Sequence, residues 1–240
     1  MYTLITGATS DIGRTICNVL ASAGHKLLLT DLSEEALQEV AAQLPNYELH
    51  KILALDLSDF DRSRDVLGSY VKEAEIKIES AVFAAGIFSV KPLRMIEYGF
   101  VKKCFDVSLF SIMSMMQVLA SKKLNAGALK NVVIISSVSA KMGTKGYSVY
   151  GSLKAGLLGL TKNLAVELAP NTRVNAILPG GIRTKATSFI YDNMEGPDPR
   201  YILGEGTPSN IAGVISFLLS KDAEWITGQE FVVDGGLSVS

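Results

Sequence analysis

Tyr150 and Lys154 stand four residues apart in the stretch YGSLK. On a helix, that spacing puts a phenol and an ammonium on one face, a turn apart. A free phenol ionises at about 10 and is a poor proton donor or acceptor near neutrality. A cation beside it favours the phenolate and brings the tyrosine toward acid–base range. Ser137, at the end of the apolar run NVVIIS, adds a hydroxyl that can hydrogen-bond a carbonyl or alcohol oxygen. Proton transfer at a carbon–oxygen bond is the chemistry these three side chains could share. Tyr147 has no lysine four residues on, and reads as a wall of the pocket.

A second group lies near the start of the chain. TGATSDIG, residues 6–13, falls between an apolar run and a helical stretch. That is the setting in which backbone amides at a helix N-terminus take a phosphate. Gly7 and Gly13 frame the loop, and Ser10, Asp11 and Ile12 are expected at the ligand. Asp31 closes the next apolar run, KLLLTD, where an acid can accept both ribose hydroxyls of an adenine dinucleotide. The same charge repels a 2′-phosphate, and Leu32 rather than a base follows it, so NAD is expected in preference to NADP. Asp56, in ALDL, could accept from an adenine amino group or be a simple loop-start aspartate, and Leu57 beside it joins the cofactor-binding candidates. Asp11 puts a carboxylate where an anion should approach. It is expected to be the N-cap of the helix starting near Ile12, accepting the amide of Gly13 or Arg14. Arg14 would offset its charge, and Asp11 would add to the repulsion of a 2′-phosphate.

These groups need a scaffold. Seven apolar runs recur: YTLIT, KLLLTD, KILALD, SAVFAAG, NVVIIS, RVNAIL and EFVVDGG. Continuous rather than alternating apolarity marks strands covered on both faces. Between them lie helical periods. RTICNVLASAG stops at a glycine signal, Gly24, and SEEALQEVAAQLP opens on a serine cap, Ser33, and stops at Pro45. The alternation predicts a single α/β domain with a Rossmann-like, doubly wound parallel sheet flanked by helices on both faces. Residues 185–203, KATSFIYDNMEGPDPRYIL, break the alternation and read as a mobile substrate flap.

Composition excludes other classes. The 240 residues carry 23 basic and 24 acidic side chains, with no basic stripe for nucleic acid. Apolar runs such as IAGVISFLL are shorter than the ~20 residues of a membrane helix. The first residues show no basic region or cleavage site, so a cytoplasmic location is expected. Cys17 and Cys104 have no metal or redox spacing and read as reduced core thiols. His25 and His50 form no ligand pattern, so no metal is expected.

Taken together, the motifs resemble those of the short-chain dehydrogenases/reductases of the compact single-domain kind. TGATSDIG resembles the family's TGxxxGxG, and Ala84–Ala85–Gly86 resembles the tail of NNAG. SS…YGSLK matches its catalytic set, and RVNAILPGGIRT and ITGQEFVVDGG match its later strands. The overall pattern is similar to that of 3-oxoacyl-carrier-protein reductases. The resemblance implies hydride transfer between a nicotinamide cofactor and a ketone or secondary alcohol. Tyr150 would handle the proton, Lys154 would lower its pKa and bind ribose, and Ser137 would orient the substrate oxygen. Pro179, Ile182 and Thr184 would hold the carboxamide and pyrophosphate, and Ala84, Ala85 and Gly86 would line the cofactor loop. The substrate would be a small ketone or alcohol, free or carrier-bound. A carrier would call for a basic patch, to which Arg183, Lys185, Lys102 and Lys103 could contribute.

The chain departs from the family pattern at three places. Asp11 replaces the middle glycine. Phe83 and Ala84 replace two asparagines, with packing expected to compensate. Ser108, in FDVSLF, replaces an asparagine whose backbone carbonyl helps hold a water on the lysine. Gly151, Ala155 and Gly159 form a small-residue stripe on the Tyr150 helix, and LFSIMSMMQVLA is a Met-rich helix. The resemblance implies that these two helices pair in a homodimer or homotetramer. Three rival readings are a dinucleotide-binding sensor without catalysis, a sugar-modifying member of the family, and an epimerase or dehydratase. The last normally has a different glycine spacing and a longer C-terminal substrate domain. Ser108→Asn is expected to leave turnover intact or raise it; a large loss in a steady-state assay would contradict the assignment of Ser108 to the relay.

Overall fold

All seven apolar runs form strands, and all seven strands are parallel. The computed structural model describes residues 1–192 and 198–240. Its elements run in the order β1 (Tyr2–Thr6), α1 (Asp11–Ser22), β2 (Lys26–Asp31), α2 (Glu34–Ala42), β3 (Lys51–Ala54) and α3 (Phe60–Glu73). There follow β4 (Ile78–Phe83), α4 (Tyr98–Phe105), a π-helical turn (Asp106–Phe110), α5 (Ser111–Leu119), the short α6 (Lys122–Asn125) and β5 (Asn131–Ile135). The chain closes with α7 (Ser148–Glu167), β6 (Arg173–Pro179), the short α8 (Ser188–Tyr191), α9 (Pro208–Leu219) and β7 (Glu230–Val233).

The sheet order is β3-β2-β1-β4-β5-β6-β7. The order reverses between β1 and β4, so a crevice opens at their C-terminal ends. One face of the sheet is covered by Ile16 and Leu20 of α1, Leu37 of α2 and Ile215 of α9, all fully buried. On the other face Leu67 of α3, Met115 of α5, and Leu153 and Leu157 of α7 form the second core layer. Strands walled in on both sides explain the unbroken apolar runs.

Helix ends follow local chemistry. Ser33 caps α2 by accepting the Ala36 amide, and Gly24 takes φ +87° just past α1. Cys17 and Cys104 are buried free thiols, and burial pushes Cys17 up to about 12. His50 accepts the Leu27 amide at its Nδ1 and so packs the sheet edge. Among the described residues no helix is long and apolar enough to cross a membrane. The expected flap at 185–203 includes residues 193–197, which lie outside the described residues; its flanking parts are described below.

The glycine loop is built on two close approaches. Gly7 has φ +68°, and a Cβ there would lie 2.8 Å from the Ala85 backbone. A Cβ on Gly13 would lie 2.0 Å from the Gly7 carbonyl oxygen. Gly13→Ala therefore forces α1 off the loop and is expected to cost about 1–3 kcal/mol or more, as overpacking does. Thermal unfolding checks this; an unchanged melting temperature would contradict it.

Candidate active site

A cleft of about 640 Å³ opens over the C-terminal ends of β1, β4, β5 and β6. Ser137, Tyr150 and Lys154 line it, as do Ser10, Asp11 and Ile12. Ala84, Gly86, Pro179, Ile182 and Thr184 line it too, while Gly7, Gly13, Asp31 and Ala85, expected at the same ligand, are not among its lining residues. Residues from distant parts of the chain thus share one cavity. The parallel sheet does this, since each motif sits on the strand end it was assigned to.

Tyr150 and Lys154 share the inner face of α7. Lys154 is buried, and its Nζ donates to the Ile135 carbonyl at 2.9 Å. Ser136 Oγ donates to the Lys154 carbonyl at 2.8 Å, so the end of β5 grips α7 twice at this residue. The ammonium lies 5.6 Å from the Tyr150 ring centre. Sequence reasoning has the lysine lowering the phenol pKa, but burial dominates in the structure. It pushes Tyr150 up to about 12, with the Ser137 hydroxyl acting against it. Burial also brings Lys154 down to about 8. The reason is desolvation: Lys154 is buried, Tyr150 is half-buried among packed side chains, and the ammonium donates to Ile135 rather than to the phenol.

Ser137 is extended, and its Oγ accepts the Ser139 amide at 3.1 Å, which turns the hydroxyl toward the cleft wall. Ser108 is buried within the π-helical turn, and its Oγ accepts the Ile87 amide at 3.3 Å. A Cβ on Gly86 would lie 3.4 Å from Ser108 Oγ and 3.7 Å from Lys154 Nζ. Ser108 is therefore packed against the β4 loop at Gly86 and Ile87, and is not among the residues lining the cleft. π turns gather at functional sites, and nothing in FDVSLF signals one.

The loop after β4 shows how Phe83 and Ala84 are accommodated. Thr6 Oγ1, at the end of β1, accepts both the Ala84 and the Ala85 amide at 3.1 Å, while Phe83 is buried in the core. Thr6 does this anchoring, a role that its place at the head of the glycine motif could have suggested.

Asp31 is gripped where β2 ends. Its Oδ2 accepts the Thr9 amide at 3.0 Å and the Thr9 hydroxyl at 2.6 Å, and Oδ1 accepts the Leu32 amide at 2.8 Å. Thr9 belongs to the glycine loop, so the carboxylate is fixed beside it. Arg14 Nε donates to the Thr9 carbonyl at 2.9 Å, and its guanidinium faces Glu39 at 3.9 Å. It does not offset Asp11.

Two expectations for Asp11 need correction. Ser10, not Asp11, caps α1: its Oγ accepts the Gly13 amide at 3.0 Å. Asp11 is the first helical residue, and its Oδ2 accepts the Lys185 amide at 2.6 Å. Lys185 follows β6, whereas Asp31 ends β2, on the opposite side of β1 in the sheet. The Asp11 carboxylate is thus drawn away from the adenosine side. Asp56 closes a local turn, accepting the Ser58 amide at 2.8 Å, and that bond holds its carboxyl below the usual range. Neither it, Leu57 nor Asp31 is among the residues lining the cleft, and the Leu57 side chain packs in the core.

The structure also adds residues that no motif marks. Phe88 stands edge-on to Tyr150, with ring centres 5.1 Å apart, and to Tyr147 at 5.9 Å. Phe189 lies 6.2 Å from Phe88. This aromatic wall includes Tyr147, as expected. Thr187 knits the turn after β6, donating to the Ile182 carbonyl at 2.8 Å and accepting the Thr184 amide at 2.9 Å. Of the four cations considered for carrier docking, Arg183 pairs with Glu205 at 3.1 Å and Lys102 with Asp106 at 2.7 Å.

The cleft suits a dinucleotide. Among the described residues the Asp11 and Ile12 amides, in the first turn of α1, have no hydrogen-bond acceptor. They lie beside a loop whose two glycines leave no room for side chains, which is how a helix N-terminus receives a diphosphate.

Comparison with known proteins agrees. A family model described as enoyl-(acyl carrier protein) reductase matches residues 7–238. A 3-oxoacyl-[acyl-carrier-protein] reductase of Aquifex aeolicus is 32% identical over 98% of this chain and 96% of its own. A 7alpha-hydroxysteroid dehydrogenase of Bacteroides fragilis is 28% identical over 98% of this chain and 93% of its own. A solved short-chain dehydrogenase/reductase of Brucella melitensis, described as glucose/ribitol dehydrogenase, superposes with a TM-score of 0.88. It is 31% identical, covering 100% of this chain and 97% of that one. The chain belongs to the short-chain dehydrogenase/reductase family, the NAD(P)-dependent oxidoreductases of alcohol and ketone groups.

Proposed function

We propose that this protein transfers hydride between NAD and a ketone or secondary alcohol, with Tyr150 as the proton donor and acceptor. The observation that carries the reading is the meeting of Ser137, Tyr150 and Lys154 in the cleft that also holds the glycine loop. A bound nicotinamide would give or accept the hydride. Ser137 donates a hydrogen bond to the substrate oxygen and holds it at the phenol. Tyr150 gives that oxygen its proton in reduction and takes it in oxidation. Lys154, when protonated, favours the phenolate and offers donors to the ribose. Gly86 and Ser108 sit against the lysine and shape the route by which protons are replaced.

The Asp31 carboxylate, held by Thr9 and Leu32, supports NAD over NADP. Three of its acceptor sites are taken by Thr9 and Leu32, so Oδ1 can accept one ribose hydroxyl, and its fixed charge opposes a 2′-phosphate. The aromatic wall of Phe88, Tyr147 and Phe189 suits an apolar group beside the carbonyl. The paired Arg183 and Lys102 favour a free small molecule over one tethered to an acidic carrier. The relatives differ in their named substrates, so the compound itself is left to assay. The described parts of 185–203 fit a substrate wall, and Lys185, Arg200 and Tyr201 line the cleft there. The exposed Ala155 and Gly159 on α7 support pairing of α7 helices in a homodimer or homotetramer. A cytoplasmic location completes the reading.

Tyr150→Phe is expected to lower kcat by about 10²–10⁴-fold, the usual worth of a general acid–base, while NADH fluorescence still reports binding. Near-normal turnover would overturn the reading, and a non-catalytic binding protein would show no turnover even in the parent. A panel of ketones and alcohols assayed with both cofactors should give a higher kcat/KM with NADH than with NADPH. Thr9→Val should shrink that ratio by about tenfold, the worth of a hydrogen bond to a charged group, while Thr9→Ser keeps it. Strong NADPH preference in the parent would refute the role given to Asp31.

The buried lysine also has a pH signature. Its pKa in the folded state, about 8, lies below the ordinary 10.5. The unfolded chain therefore binds more protons between those values, and stability rises with pH across them. Tyr150, raised from 10.0 to about 12, has the opposite sign, with stability lost between those values. Denaturant melts of the ligand-free protein should show stability rising from about pH 8 to about pH 10. Lys154→Met should be more stable at about pH 7 and lack the rise; a less stable variant would contradict the buried charge.

A further inference from the structure

Asp11 has no part in the cap or the charge pair expected of it, and its carboxylate spans the cleft. One wall is the glycine loop at the start of α1; the other is the turn after β6. Asp11 Oδ2 to the Lys185 amide, at 2.6 Å, joins residues 174 positions apart. The turn so joined is a unit in its own right. Thr187 bonds the Ile182 carbonyl and the Thr184 amide, and Ser188 Oγ donates to the Lys185 carbonyl at 3.0 Å. Ile182 is buried and bridges to Gly206. Lys185 is thus the point at which a preformed turn is held to the opposite wall.

We propose that Asp11 is a positioning residue that clasps this turn to the glycine loop and so controls exchange of the dinucleotide. The proposal rests on the reading that a dinucleotide occupies this cleft. Asp11 and the turn both line the cleft, so a ligand lying along the loop amides lies beside the clasp. A carboxylate at a helix N-terminus is itself favourable, so the clasp closes without a ligand. Its charge also opposes a diphosphate nearby. A charge effect and a clasp are separable, because an asparagine carboxamide oxygen can still accept the Lys185 amide.

Two measurements test this on the full-length protein. The first is amide hydrogen exchange of the ligand-free protein. Asp11→Gly should speed exchange at Lys185 by about tenfold, the low end for a lost hydrogen bond to a charged acceptor, while Asp11→Asn stays near the parent. The second is stopped-flow displacement of NADH. Dissociation should quicken by about tenfold in Asp11→Gly and by less than about twofold in Asp11→Asn. Unchanged exchange at Lys185 in Asp11→Gly would overturn the clasp. Equal acceleration of NADH release in both variants would also overturn it, in favour of charge repulsion alone. If the parent failed to bind NADH, the cofactor reading would fall, while hydrogen exchange would still decide whether the clasp exists.

Discussion

A buried ammonium is the constraint around which this site is built. Lys154 is buried in the wall of the cleft, with its Nζ on the Ile135 carbonyl. Burying a charge is costly unless it is hydrogen-bonded. A strand and a helix must therefore be placed to receive it: β5 supplies the carbonyl, α7 supplies the lysine, and Ser136 ties the helix backbone to the strand end. The phenol of Tyr150 is carried on the same helix, and Gly86 lets the β4 loop approach without a side chain. Burial disfavours the charged form of this lysine, and the proposed function would exchange stability for chemistry as active sites commonly do.

The dinucleotide side follows a different logic. In the proposed site backbone would do the binding, and side chains hold that backbone in place. Thr6 fixes the two amides after β4, Ser10 caps α1, and Thr9 fixes Asp31. Three hydroxyl residues of one short motif thus serve three different parts of the cleft. Their polar groups are satisfied within the protein, which leaves the first amides of α1 for an anion.

The fold is largely legible in the sequence because its signals are local. Unbroken runs such as KLLLTD read as strands covered twice, and Ser33 and Gly24 mark helix ends by their own chemistry. The site is legible where residue type and spacing decide it, as with Tyr150, Lys154 and Ser137. It is not legible where long-range contacts decide it. Asp11 reads locally as an excellent cap, yet Ser10 takes that role, and a residue 174 positions away takes the carboxylate. Arg14 reads as the counter-charge to Asp11, but its Nε donates to the Thr9 carbonyl and its guanidinium faces Glu39. Phe88 and the π-helical turn carry no sequence signal, since packing alone makes them. The effect of Lys154 on Tyr150 escapes the sequence for a related reason: spacing reports proximity, not burial.

The central claim, that Lys154 is a buried cation poised to change charge near neutrality, can be measured directly. Lysine side chains labelled at Cε can be titrated by NMR in the ligand-free protein, with Lys154→Met assigning the resonance. The expected result is one lysine titrating near 8, apart from the remainder. If the Lys154 resonance instead titrates near the ordinary 10.5, the ammonium is not buried as described and the account of the site fails.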